Sequence, residues 1–133
     1  MINMPTNKPT IINGDLILKQ DTTYDSDLIV NGNILEKNGE KHNLTVKGNI
    51  SAWNISANDI SAWNISVQWN ISAANISAQN ILTGNISAWN ISAGHISYYA
   101  VCFAYKDIKC KSIHGRRKNS RHFVLDGKIT IED

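Results

Sequence analysis

The sequence predicts an all-β protein built as a β-solenoid, a column in which the chain turns corners and stacks coil on coil. An isoleucine returns at every fifth residue from Ile50 to Ile96, with one six-residue step between Ile65 and Ile71. This step fits neither the spacing of an amphipathic helix nor the alternation of a lone strand. Asn, Ser and Gly are also poor helix formers, and Ile is β-branched. A fixed step that recurs with the same residues indicates a repeat architecture.

Each isoleucine is predicted to point into the core and to meet an isoleucine of the next coil. A small residue follows most of them at the second position, so strand alternation sends both inward and the intervening serine outward. Asn precedes nearly every isoleucine, and we expect it at corners because Asn tolerates turn conformations and bonds its own backbone. The predicted ladder consists of Ile50, Ile55, Ile60, Ile65, Ile71, Ile76, Ile81, Ile86, Ile91, Ile96, Ile108 and Ile113.

These repeats resemble the pentapeptide-repeat family, whose unit is often written A-(N/D)-L-x-x. The Asn-Ile and Asp-Ile pairs carry the resemblance, which covers roughly residues 48–115. It implies that four repeats form one coil of a right-handed quadrilateral β-helix, although the periodicity itself leaves the hand open. The sequence departs from the family pattern because the small residue follows the central aliphatic residue by two positions instead of preceding it.

At 133 residues the chain suits one domain with four segments. Residues 1–10 are polar and predict a flexible leader. Residues 11–47 have a less regular β pattern and predict N-terminal coils or a cap. Residues 48–116 form the pentad solenoid, and residues 117–133 predict a C-terminal cap, together with the aromatic residues around Tyr98. We expect β caps at both ends because an open solenoid end exposes unpaired backbone.

No arrangement of residues indicates an enzyme, a cofactor or a metal. The four histidines are scattered and no ligand spacing accompanies them. Serines recur throughout the repeats, so no single serine stands out as the nucleophile of a Ser-His-Asp triad. The two cysteines do not make a disulfide framework. Cys110 occupies the small inward position after Ile108, which predicts a buried free thiol.

Four tryptophans form the candidate interaction surface: Trp53, Trp63, Trp69 and Trp89. Each directly precedes a corner Asn and is expected to project outward or lie along the surface. In a four-sided coil Trp69 and Trp89, four pentads apart, would stack on one edge. Exposed tryptophans mark interfaces, so we expect self-association as a dimer or trimer. A sugar-binding stripe, or tryptophans that only cover a neighbouring loop or cap, are the alternatives.

Charge is uneven along the chain, whose net charge is +2. Asp59 is the only charged residue between Gly48 and Tyr105, whereas the last segment is basic. A basic end is expected to discourage end-to-end stacking and to bind nucleic acid at most weakly and without specificity. The candidate anion contacts are Arg116, Arg117, Lys118 and Arg121.

The predicted function is therefore a non-enzymatic structural or protein-interaction role, with a further protein partner of unknown identity. The sequence has no apolar signal region and no apolar run approaching about 18 residues, which predicts a cytoplasmic protein without a membrane partner. A regulator of a nucleic-acid enzyme such as DNA gyrase, as some pentapeptide-repeat proteins are, is one alternative. Another is a polymer-forming scaffold, because the phrases around Val30–Ile34 and Val46–Ile50 resemble bactofilins.

Overall fold

A computed structural model describes residues 8–132, which fold into a β-solenoid, as the sequence predicts. The column has about seven coils. All strand pairs among these residues are parallel. The strands in chain order are β1 (Thr10–Asn13), β2 (Leu16–Leu18), β3 (Thr22–Tyr24), β4 (Leu28–Asn31), β5 (Asn33–Glu36), β6 (Leu44–Val46), β7 (Asn49–Ser56), β8 (Asp59–Ser61), β9 (Asn64–Ser72), β10 (Asn75–Ala88), β11 (Asn90–Ala104), β12 (Ile108–Cys110), β13 (Ser112–Gly115), β14 (Arg121–Val124) and β15 (Ile129–Ile131).

Every coil has three faces, which we name A, B and C in chain order. In the third coil, face A contains Ile50, face B contains Ile55 and face C contains Ile60. The corners between them are named AB, BC and CA. The long strands β7, β9, β10 and β11 continue across corners, so one strand can serve two or three faces. Coils 1 to 7 comprise residues 10–24, 28–46, 49–61, 64–77, 80–92, 95–110 and 112–131.

The four-sided cross-section implied by the family resemblance is wrong for this chain. Ile50 pairs with Ile65, and Ile65 pairs with Ile81, so one coil of the regular region takes 15 or 16 residues. That length is three pentads, not four. The physical reason is that the order of residues within the pentad determines only which side chains point inward. Ile and the small residue after it do so and the large residue before Asn stays outside at the corner, but the number of such pairs in a coil is set by which strands pair.

The irregular step between Ile65 and Ile71 is a local insertion, as the sequence predicts. The pairing of β7 with β9 shifts between Ala52 and Asn54, where the partner strand carries one extra residue. The register shifts again at corner AB where β9 pairs with β10. A single extra residue absorbed at a corner leaves the inward alternation on both flanking faces intact.

The core is a column of stacked apolar side chains that runs through all three faces. The predicted ladder isoleucines from Ile50 to Ile108 are buried, and Ile113 in the last coil is partly buried. The serines between the paired inward positions lie outside, exposed or partly so. Cys102 occupies a ladder position on face B, between Ile86 and His122, which the periodicity did not reveal. Tyr98, expected in a cap, is instead 1% exposed inside the column.

Corner asparagines bond the neighbouring coil, not their own backbone as expected. Asn64 Nδ2 donates to Asn49 Oδ1 at 2.9 Å, and Asn80 Nδ2 donates to Asn64 Oδ1 at 2.7 Å. Equivalent bonds run up the other corners, such as Asn85 to Asn70 at AB. Left-handed corners are not the reason for Asn either, because Asn38 alone among the described non-glycine residues has positive φ. Parallel stacking places identical amides one above another, so donors and acceptors match.

Residues 11–47, predicted as N-terminal coils or a cap, form coils 1 and 2 through strands β1 to β6. The stretch predicted as a C-terminal cap is also a coil, because β14 and β15 pair with coil 6 in parallel register. The aromatic stretch from Tyr98 to Tyr105 lies largely in β11 and completes coil 6. Residues 1–7 of the predicted leader, together with Asp133, lie outside the described residues.

Candidate interaction surfaces

The four tryptophans occupy all three corners instead of one edge. Trp53 and Trp69 lie at corner AB in consecutive coils, since each precedes one of the paired residues Asn54 and Asn70. Trp63 lies at corner CA and Trp89 at corner BC. The expected stacking of Trp69 on Trp89 is therefore wrong, because it assumed four sides to a coil. All four side chains are 49–59% exposed.

Corner AB and the adjoining face A carry three exposed apolar side chains on successive coils. Trp53 is 49% exposed, Trp69 is 55% exposed, and Leu82 on the next coil is 48% exposed. Leu82 takes an outward position between Ser66 and Ser97, where most repeats have serine. A groove of about 520 Å³ beside Leu82 is lined by Trp53, Leu82 and Arg116, among others. We call Trp53, Trp69 and Leu82 the AB patch.

Corner BC has a different character, because aromatic rings there face hydroxyl groups. The rings of Trp89 and Tyr105 lie 4.5 Å apart, centroid to centroid, at 43°. Beside them runs a groove of about 440 Å³ whose wall includes Phe103. Outward serines of three successive coils line its floor: Ser56, Ser72 and Ser87. Tyr105 covers part of Trp89, so this tryptophan already has a partner within its own chain.

The basic segment is less available than its sequence implies. Arg116 lies along face A, where Nη1 donates to Ser97 Oγ at 2.9 Å and Nη2 donates to the Thr83 carbonyl at 3.0 Å. Arg121 lies over the Phe123 ring, with Cζ 5.5 Å from its centroid. Arg117 and Lys118 form no ion pair within residues 8–132. The four side chains thus share one end of the column, but two of them already have intramolecular partners.

Both cysteines are buried free thiols, as predicted for Cys110. Burial, with a smaller contribution from the neighbouring Cys110, raises the pKa of the Cys102 thiol to about 12. Burial also raises the pKa of Cys110. A thiol with so high a pKa stays protonated at neutral pH and is a poor nucleophile and a poor metal ligand.

Potential reactive groups are dispersed along the described chain. His95 Nδ1 contacts Ser112 Oγ at 2.7 Å, and His122 Nδ1 contacts the Tyr98 hydroxyl at 2.7 Å. Burial raises the pKa of Tyr98. Residues 8–132 hold no group of three or more His, Cys, Asp or Glu side chains placed to bind a metal ion. Over the same residues, no helix could cross a lipid bilayer.

Sequence reasoning missed Leu82, Phe103 and Tyr105 as surface residues. Leu82 has a sequence signal, since it replaces serine at an outward position of an otherwise regular repeat. Phe103 and Tyr105 have a weaker one, because they follow the last regular pentad and their positions depend on the coil pairing. The pairing of Ser87 with Phe103 identifies that position as outward on face B.

In comparisons with known proteins, no family matches the sequence of this chain, no curated protein matches it, and no solved structure matches its fold.

Proposed function

We propose that this protein is a non-enzymatic structural or interaction solenoid that self-associates through the AB patch as a dimer or trimer. The observation that carries the proposal is that Trp53 and Trp69 lie at corner AB of successive coils and Leu82 points outward from the adjoining face A of the next coil, each about half exposed. Tryptophan is enriched among the residues that dominate binding energy at protein interfaces. An exposed apolar group of this kind marks an interaction site.

The charge of the surrounding surface supports the same conclusion. Asp59 is the only charged residue from Gly48 to Tyr105, and it belongs to face C. Charged residues are depleted at the centre of protein interfaces, and hydroxyl and amide groups suit the rim. The serines and asparagines around the AB patch supply those groups, and the one charged side chain beside it, Arg116, already donates to Ser97 and to the Thr83 carbonyl. A dimer or trimer around this corner would also cover the groove beside Trp53.

The test is the mass of the particle in solution for the wild type and two variants. At high salt, which screens contacts between the charged ends, light scattering after gel filtration should give a dimer or trimer for the wild type at high micromolar concentration. The triple variant Trp53→Ser, Trp69→Ser, Leu82→Ser should be monomeric and keep its β circular dichroism spectrum. Trp63→Ser is the matched control, because it removes a tryptophan of similar exposure from another corner and should leave the mass unchanged. A monomeric wild type would refute the proposal.

The finer family assignment also stands as a proposal: that the pentads are pentapeptide repeats in the family sense. The five-residue step and the Asn-Ile pairs support it, whereas the three-pentad coil departs from the family geometry. A location in the cytoplasm and a further protein partner remain predictions from the sequence. Recovery of one specific partner by the wild type and not by a variant of the AB patch would identify the partner.

The gyrase-regulator alternative has little support from the charge of this surface. A protein that imitates DNA needs rows of carboxylates, since the duplex carries one charge per about 1.7 Å of axis. The outward positions of the regular coils hold mostly serine and asparagine. We expect no effect on DNA supercoiling at micromolar concentration. Any DNA binding should be weak, should vanish at moderate salt and should depend on Arg117 and Lys118 more than on Arg116. Inhibition that survives neutralisation of the basic residues would restore this alternative.

A further inference from the structure

At the two ends of the column, the outermost strand edges have no partner strand within residues 8–132. Coil 1 pairs with coil 2 through β1, β2 and β3, and no other strand within residues 8–132 pairs with those three. Coil 7 likewise pairs with coil 6 through β13, β14 and β15 and has no partner beyond it in the described chain. An unpaired edge presents a row of backbone donors and acceptors to any strand of matching direction.

We propose that the free edge of coil 7 binds the free edge of coil 1 of a second copy, head to tail, in the register that the coils already use. This contact goes beyond the proposed lateral association, because it involves neither Trp53 nor Trp69 nor Leu82. Its three strand pairs would be parallel, like every pair in the described chain. The occupant is another copy of this protein, because continuing the register of the coils brings complementary side chains of the two ends together.

If the register of face B continues from coil 7 of one copy to coil 1 of the next, opposite charges face each other and apolar side chains face each other. Within the chain, the residue that precedes a ladder position pairs with its counterpart in the next coil, as Val101 pairs with Arg121. The next step from β14 would place Arg121 opposite Asp15 of the second copy. Phe123, which is 40% exposed, would then face Ile17, which is 47% exposed. Two exposed apolar side chains would be covered by each other.

Face C gives a second match in the same register. The residue before Ile108 is Asp107, and its counterpart in coil 7 is Lys128, whose backbone N–H donates to Asp107 Oδ1 at 3.0 Å. One further step would place Lys128 opposite Asp21 of the second copy and Thr130 opposite Thr23. Cross-strand pairs of opposite charge and pairs of threonines both stabilise a sheet.

The end coils carry opposite net charge, so they attract each other. Residues 8–27 contain four aspartates and two lysines, giving −2, and residues 112–132 contain five basic and two acidic residues, giving +3. The expectation that a basic end discourages stacking considered the charge of the C-terminal end alone and not the acidic N-terminal end that it would meet. Asp15 and Asp21 of coil 1 already accept backbone N–H groups of coil 2, from Asn33 at 2.8 Å and Asn43 at 2.9 Å, which holds both carboxylates at the corners.

Unequal corner loops do not prevent stacking in this fold. Coil 2 carries a loop between β5 and β6 that neither coil 1 nor coil 3 has, and both neighbours still pair with it. The basic loop of coil 7 lies at corner AB and can be accommodated in the same way. Because the two contacting edges differ, the contact does not close on itself and generates a linear row.

The first experiment compares two double charge reversals by sedimentation velocity and negative-stain electron microscopy. The wild type at low salt should form rows whose length falls as salt is added, because salt screens exposed charges. Arg121→Glu with Lys128→Glu should raise the concentration needed for rows by about tenfold or more. Arg117→Glu with Lys118→Glu makes the same charge change in the loop and should have a clearly smaller effect. Equal effects of the two variants would overturn the register.

The second experiment tests the register by cross-linking and does not depend on charge. Thr23→Cys with Thr130→Cys should give a ladder of disulfide-linked oligomers on a non-reducing gel, since Cys102 and Cys110 are buried. Ser77→Cys with Thr130→Cys is the control, because Ser77 lies on the same face in the middle of the column, and should give at most dimers. The first pair should still cross-link in the AB-patch triple variant, which separates this contact from the lateral one. If no disulfide-linked oligomers form with or without the AB-patch substitutions, the proposal is refuted.

Discussion

Coils 3–5 and the coils at the two ends use the same ladder of inward residues but differ in almost everything else. In the middle, successive ladder residues are 15 or 16 positions apart, and the corner position holds Asn or Asp. Toward the ends the spacing grows, to 22 between Leu28 and Ile50 and to 20 between Cys102 and His122. On faces B and C the corner position holds Asp in coil 1 and Arg or Lys in coil 7.

The difference shows that two separate devices build the column. The inward ladder tolerates longer coils and foreign residues, since Cys102 and Tyr98 fit within it. The amide ladder needs an amide or carboxylate oxygen on the neighbouring coil: Asn75 donates to Asp59, and Asn54 donates to Asn33 of the longer coil 2. Arg121 and Lys128 of coil 7 have no acceptor oxygen in their side chains and cannot continue it. Strand pairing joins each coil only to its neighbours, and stability is therefore mainly a sum of local terms along the column; the bond from Arg116 to the Thr83 carbonyl reaches one coil further.

The largest expected effect comes from a charge placed in the core. Ile76→Asp should abolish folding, or cost at least about 4 kcal/mol, because the carboxylate would be buried among isoleucines without a partner. Ile129→Asp makes the same change on face C of coil 7 and should cost less, because Ile129 is only partly buried. Urea denaturation followed by circular dichroism measures both.

Ser77→Asp is the control for this pair, since Ser77 neighbours Ile76 but is exposed. It should change the free energy of unfolding by no more than about 0.5 kcal/mol. Equal loss of stability in the Ile76 and Ser77 variants would contradict the assignment of inward and outward positions.

A smaller effect is expected at alkaline pH and comes from the thiol of Cys102 in coil 6. The pKa of the Cys102 thiol is about 12 in the folded protein, against an ordinary value of 9.0. The unfolded chain therefore loses this proton first, and the stabilising contribution is complete below about pH 9 and disappears as pH rises toward 12. Denaturation midpoints across this range should fall for the wild type.

Cys102→Val provides the comparison, because valine fits an inward position and has no proton to lose. Its midpoint should fall less steeply over the same pH range. Parallel curves for the two proteins would mean that Cys102 does not contribute to the alkaline loss of stability.

The smallest effect concerns the amide ladder of the central coils. Asn64→Ala removes a donor to Asn49 and an acceptor for Asn80, and should lower the free energy of unfolding by about 1–2 kcal/mol. Ser66→Ala, two residues along the same strand, is the matched control and should stay within about 0.5 kcal/mol. If the two alanine variants unfold at the same denaturant concentration, the ladder adds no stability.

The fold class could be predicted because the residues of the inward ladder recur at a fixed spacing in the sequence. A five-residue step with Ile and a small residue defines which side chains point inward, whatever the number of sides. That number could not be predicted, because three or four corners satisfy the same local pattern and only the pairing of Ile50 with Ile65 decides between them. The misplacement of Trp69 relative to Trp89 follows from that one choice.

The candidate surfaces were harder to predict because they depend on neighbours in space. Trp53 and Trp69 could be recognised as exposed, but their grouping with Leu82 required the coil pairing. Arg116 was grouped with its basic neighbours because no local pattern reveals its bonds to Ser97 and Thr83. The charge of the first coil was hidden for a simpler reason. When residues 1–47 are counted together, the lysines in and beside coil 2 offset the aspartates: Lys37, Lys41 and Lys47.

The shared register of the central coils also bears on how such a chain could change length during evolution. Ile65 and Ile81 are equivalent positions one coil apart. Duplicating residues 65–80 in tandem would insert one complete layer, about 4.8 Å high, with Asn still preceding Ile at the new junction. Loss of the same segment would remove one layer just as cleanly. Gene duplication could therefore set the height of the column in whole steps without disturbing either end.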